Sequence, residues 1–177
     1  MPYFPNMSEV IDQPLYDKER MDDTVVSLFT TPLGQRGKTY AETNMYTAGM
    51  LPAPTKFQVC GLRCTVLIGD NLIAARPCPL THAVWYTSYV ELRIGSKWYF
   101  NGTLSEIADP LMFMGNEFMT LAPALRWAII GRLKRSLARR ISINPQESFR
   151  VAIYQNEKRP NFWALVHLDG DQYRGIQ

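Results

Sequence analysis

The sequence predicts an all-β protein, an antiparallel jelly-roll sandwich with long loops and one short basic helix. Three observations predict it. β-Branched and aromatic residues gather in short alternating runs, long connections rich in glycine and proline separate those runs, and a single segment carries helical periodicity. Strands alternating with regular helices, which would signal a parallel α/β sheet, are absent. A jelly roll tolerates long connections between consecutive strands because its path crosses between two sheets. An immunoglobulin-like sandwich stays open as an alternative, although the Cys, Trp, Cys spacing of that fold is missing.

Residues 1–23, "MPYFPNMSEVIDQPLYDKERMDD", mix three prolines with charges and show neither helical nor strand periodicity. They read as an N-terminal arm, followed by a single jelly-roll domain over 24–177. Tyr3, Phe4, Leu15 and Tyr16 are spaced too irregularly for an amphipathic element, so they are candidates for contact with a neighbouring subunit. "TVVSLFTTPL" from Thr24 is a strand candidate. The stretch that follows, with Gly34, Gly37, Gly49, Pro52 and Pro54, is a long connection. "KFQVCGLRCTVLIG" is the next strand, ended by the turn signal Gly69-Asp70-Asn71.

Val90, Leu92 and Ile94 alternate with Glu91 and Arg93, Gly95-Ser96 reverses the chain, and Lys97-Trp98-Tyr99-Phe100 returns it. This is the clearest hairpin in the sequence. Beyond a Met- and Phe-rich loop, Leu125, Ile129, Leu133 and Leu137 recur every four residues and predict a helix over 124–140. Ile141 with Ile143, then Phe149, Val151 and Ile153, form two strand pieces around Asn144-Pro145. "FWALVHLDGDQYRGIQ" closes the chain as a strand or as a hairpin around Asp169-Gly170, where "LDGDQ" has turn chemistry.

With 177 residues the chain fits one domain, long enough to bury roughly 70% of its unfolded surface. Its 46% hydrophobic and 20% charged residues describe a folded protein, not a disordered one. Met1 to Ser8 has no basic region followed by an apolar one, so no secretory leader is expected, and no apolar run approaches the ~20 residues of a spanning helix. Charge is uneven. Lys and Arg total 19 against 16 Asp and Glu, and "GRLKRSLARR" at 131–140 holds five of the cations with no acid. Arg132, Lys134, Arg135, Arg139 and Arg140 are therefore candidates for contact with an anionic surface, against the plainer reading of a solvated charged face.

Catalytic and metal patterns are missing: no nucleophile elbow, phosphate loop, dinucleotide fingerprint or zinc-protease motif occurs. Cys60 and Cys64 would lie on one face of a strand about 13 Å apart, too far to share a metal by themselves. With Cys78 they read as buried inert thiols. His82 and His167 are the only histidines. We expect no catalytic residue, metal or cofactor. Asn101-Gly102-Thr103 matches a glycosylation acceptor, which carries little weight without a leader. Trp85, Tyr86, Tyr89, Trp98, Tyr99 and Phe100 crowd the hairpin, either as a stacking platform for sugars or bases or as cross-strand packing.

The succession of "LFTTPLGQRGKTYAETNMYTAGMLPAPTKFQVCGLRCTVLI", "ISINPQESFRVAIY" and "ALVHLDGDQYRGIQ" resembles the single jelly-roll major capsid proteins of tailless icosahedral phages with an internal membrane. The likeness spans Thr24 to Gln177 and lies in layout, not in a motif. It implies a structural virion protein made in the host cytoplasm, whose partners are other copies of itself, other capsid proteins and the internal membrane or packaged DNA. It implies no small-molecule substrate. A carbohydrate- or nucleic-acid-binding jelly roll using the aromatic hairpin is the alternative, and a cupin-like enzyme would need a histidine cluster that two isolated histidines do not supply.

Overall fold

The computed structural model describes residues 8–69, 76–78, 82–108 and 135–175. Among them run β1 (Ser8–Asp12), β2 (Leu15–Met21), β3 (Val25–Leu28), β4 (Lys56–Ile68), β5 (Arg76–Pro77), β6 (Ser88–Ile94), β7 (Lys97–Thr103), β8 (Arg135–Ile143), β9 (Phe149–Gln155) and β10 (Arg159–Gly175). One helical turn, α1 (Val84–Thr87), leads into β6, and a 3-10 turn over Leu104–Ile107 follows β7.

In the first sheet β1 and β2 lie end to end along one side of β10, β4 lies along its other side, and β5 and β8 pair with the far side of β4. The second sheet runs β3, β9, β6, β7. Every pairing between these strands is antiparallel. The principal strands read 2-10-4-8 in one sheet and 3-9-6-7 in the other, with the chain changing sheet from β2 to β3, from β3 to β4, from β5 to β6 and at each step from β7 to β10. This interleaving is the jelly-roll path.

Alternation places the core. Val90, Leu92 and Ile94 of β6 and Phe149, Val151 and Ile153 of β9 face Phe57, Val59, Leu62 and Val66 of β4 and Ala164, Val166 and Leu168 of β10, in one buried cluster. Phe29 and Trp85 are fully buried in it. Each buried aliphatic or aromatic side chain contributes roughly 1.5–3 kcal/mol. The β6–β7 hairpin closes on two residues, Gly95 and Ser96. Gly95 takes a φ of 57°, the left-handed conformation such a loop needs and glycine adopts at least cost.

Three expectations change. From Ser8 the N-terminal segment is no detached arm: β1 and β2 add themselves to β10 of the same chain, and Leu15, Asp17, Lys18 and Met21 of β2 are buried. Residues 135–140 are strand, not helix. Arg135 and Ser136 pair with β4, as do Ile141 to Ile143 beyond a break in register, while Ile143 enters the core and Leu137 and Ile141 pack against it. The remainder of the expected helix, 124–134, lies outside the described residues. Third, Asp169-Gly170 makes no turn, because β10 continues through it with a register slip opposite β4. A Cβ on Gly170 would sit 1.9 Å from the Gln58 carbonyl oxygen, so glycine is required there for close backbone approach.

The same irregularity separates two thiols expected on one face. β4 slips register around Cys60, its alternation shifts by one, and Cys60 is left partly exposed while Cys64 is buried.

Candidate functional site

The strongest convergence of charge is internal. On β2, Asp17 is buried, and Glu19 lies on the same side of the strand. Lys38, from the long β3–β4 connection, reaches both: its Nζ is 2.6 Å from Asp17 Oδ1 and 2.6 Å from Glu19 Oε1. The other Asp17 oxygen accepts the backbone N–H of Phe29 at 2.5 Å. Phe29 holds a φ of 67°, unusual for an aromatic residue, and its ring packs against Phe149 at 5.5 Å. Burial pushes the Asp17 and Glu19 carboxyls above their ordinary range, against the pull of Lys38. With its Lys38 amine held between two carboxylates, the cluster staples the β3–β4 connection to β2.

The same connection roofs a cavity of about 420 Å³ near the β1–β2 corner. Tyr16, Tyr40, Tyr46, Asn44, Gln172 and Arg174 are among its lining residues. Tyr16 donates its hydroxyl to the Tyr40 carbonyl at 2.5 Å, and the Tyr40 and Tyr46 hydroxyls lie 3.0 Å apart. Asn44 is spent on the backbone, accepting from Tyr16 N and donating to the Pro14 carbonyl. The rings of Tyr40 and Tyr46 meet edge to face and are largely exposed.

Of the residues singled out for a subunit contact, Leu15 is only 4% exposed and belongs to this chain's own core. Tyr16 is half-buried against His167, 6.0 Å between ring centres. Tyr3 and Phe4 lie outside the described residues. Arg132 and Lys134 lie outside the described residues, Arg135 is backbone-paired in β8, and Arg139 and Arg140 are exposed. Arg140 is paired within the chain, with Nη1 2.9 Å from Asp171 Oδ2 and 3.5 Å from Gln58 Oε1. For that residue the solvated-face reading fits better than an anionic partner.

The aromatic hairpin does not form one platform. Trp85 and Phe100 are buried, while Trp98, at 65% exposure, and Tyr89 lie on the outer face four positions apart in the β6 register. Tyr89 packs against Tyr154 instead, at 6.1 Å, and Trp98 covers Arg93, 6.0 Å from ring centre to guanidinium. Burial pushes the Cys78 thiol up to about 11. Among the described residues no group of three or more His, Cys, Asp or Glu side chains is placed to hold a metal. No helix among them is long and apolar enough to cross a membrane.

Sequence reasoning missed Lys38 with its two carboxylates and the pairing of Arg93 with Arg150. The alternation of β6 and β9 carries a signal for the second, since it sends both arginines outward, but only the strand register sets them side by side. No family model, curated protein or solved structure matches the chain.

Proposed function

We propose that the protein is a structural virion protein that self-assembles through its loops and sheet edges with other copies of itself and with other capsid proteins. This is the role implied by the resemblance to single jelly-roll capsid proteins, and the fold alone supports it only by analogy, since jelly rolls also serve lectins and cupins. The observation that carries it is β7. It is the edge strand of the second sheet, paired only with β6 among the described residues, and it presents Trp98 and Tyr99 to solvent beside that edge. An exposed apolar edge is a template for pairing with another chain. Residues 8–21, integral to the sheet, have no part in this proposal.

Sizing the purified protein by light scattering and negative-stain microscopy tests it. Rings, shells or sheets are expected, and replacing Trp98 and Tyr99 with lysine should shift the population to smaller species. A protein that stays monomeric at high concentration overturns the reading. The tyrosine-lined cavity of about 420 Å³ favours a second reading, a carbohydrate-binding jelly roll. That reading expects a monomer or small oligomer which binds sugar and loses binding when Tyr40 and Tyr46 become alanine.

A further inference from the structure

On the outer face of the second sheet, Arg93 of β6 stands directly opposite Arg150 of β9 in the antiparallel register. Opposed residues hold their Cβ atoms about 5 Å apart, and like charges in that arrangement repel. Neither guanidinium forms an ion pair with a carboxylate among the described residues. Glu91, two positions away on the same face of β6, instead accepts the Tyr154 hydroxyl at 2.9 Å. Both arginines are half-buried, so water screens them incompletely. They line an open cleft of about 320 Å³ together with Thr30, Ser148 and the backbone of Gly49 and Gly95.

We propose that this cleft binds a phosphate group. Two guanidinium forks offer two positive charges and paired N–H donors matched to phosphate oxygens. A phosphate dianion neutralises both charges, whereas a carboxylate or a phosphodiester brings one. Ser148 adds a hydroxyl donor to the lining, while the Thr30 hydroxyl donates to the Ser27 carbonyl. Trp98 continues the row from Arg150 through Arg93 and holds the Arg93 guanidinium by cation–π contact, which fixes one fork before the ligand arrives. The phosphate has two possible sources: the free ion, or a monoester whose attached planar ring stacks on the exposed Trp98 indole. The arginine pair stands on β6 and β9, inside the sheet, while Trp98 is shared with the β7 edge invoked for assembly.

The experiment measures inorganic phosphate and AMP binding to the full chain by calorimetry. Melting is followed in parallel against sodium chloride of matched ionic strength. Wild type is expected to bind phosphate and to be stabilised by it beyond the chloride control. Arg93→Gln and Arg150→Gln should each weaken binding about tenfold or more, while Arg139→Gln, on the other sheet, leaves it unchanged. Without phosphate, Arg150→Gln should melt no lower than wild type, because a repulsive contact has been removed, while Arg93→Gln trades that repulsion for its lost contact with Trp98 and should melt close to wild type. That outcome separates a ligand site from a structural role and shows that the variants fold. Tighter binding of AMP that is lost in Trp98→Ala assigns a monoester, and equal binding of the two probes assigns the free ion. Absence of phosphate-specific binding at millimolar concentration, or undiminished binding by both arginine variants, overturns the proposal.

Discussion

Replacing Lys38 with methionine keeps most of the side-chain volume and removes the charge between Asp17 and Glu19. The Asp17 side chain is fully buried, while Glu19 keeps 27% of its surface, so Asp17 bears most of the loss and Glu19 can turn toward water. Removing one partner of a buried pair costs about 3–5 kcal/mol, and the partial exposure of Glu19 points to the lower end, about 3 kcal/mol. In a domain of this size that lowers the melting temperature by about 6–12 °C. In the wild type, burial raises both carboxyls above their ordinary values. The folded chain then holds protons that the unfolded chain releases, so these two groups contribute stability fully below the ordinary carboxylate range and lose it as pH rises through their raised values. Without the Lys38 charge those values rise further. The penalty should therefore be largest at pH 7 and shrink at pH 5, where the unfolded chain is still largely ionised but the stranded carboxyls take up protons. Urea unfolding of wild type and Lys38→Met, followed by circular dichroism at both pH values, reads the difference directly. A loss below about 1 kcal/mol at pH 7, or one that is equal or greater at pH 5, would refute the assignment of Lys38 as the staple.

Gly170→Ala forces a Cβ to 1.9 Å from the Gln58 carbonyl oxygen and should cost at least about 3 kcal/mol, whereas Gly34→Ala, at a φ of 82° in open space, should cost only about 1 kcal/mol. Comparable melting temperatures for the two would show that β10 and β4 do not approach as described. The Cys78 thiol, raised to about 11 chiefly by burial, should resist a disulfide reagent at pH 8 in the folded protein and react at once in urea. Fast labelling of Cys78 before the partly exposed Cys60 contradicts its burial. Arg140→Ala removes an exposed pair with Asp171 and should change stability by less than about 1 kcal/mol, with salt erasing the difference.

Much of the strand content was legible. The outward set Tyr89, Glu91, Arg93 and the inward set Val90, Leu92, Ile94 follow from two-residue periodicity, and Gly95-Ser96 marked the hairpin correctly. The errors share a cause. Leu133 and Leu137 match helical spacing, but β4 offers an unpaired edge whose hydrogen bonds and apolar face draw 135–143 into the sheet, and that edge is more than sixty residues away in sequence. "LDGDQ" has the composition of a turn, yet Gly170 serves the approach of a neighbouring backbone. The first 23 residues showed no usable period because β2 buries Asp17 and places Glu19 on the same side of the strand, where apolar groups were expected. Polar residues pass there because Lys38 and the Phe29 N–H arrive from elsewhere to meet them.

By itself the sequence determined that the chain would form antiparallel strands, which side of β6 and β9 would be apolar, and where the sharpest reversal would fall. These are local properties, carried by the alternation of side chains along a pleated strand and by the backbone freedom of glycine. Tertiary structure alone decided that β2 joins β10, that Lys38 closes on Asp17 and Glu19, that Cys60 and Cys64 part company, and that Arg93 meets Arg150. Each depends on which strands become neighbours and in what register, a choice made when two sheets close over one core, so no window of sequence contains it.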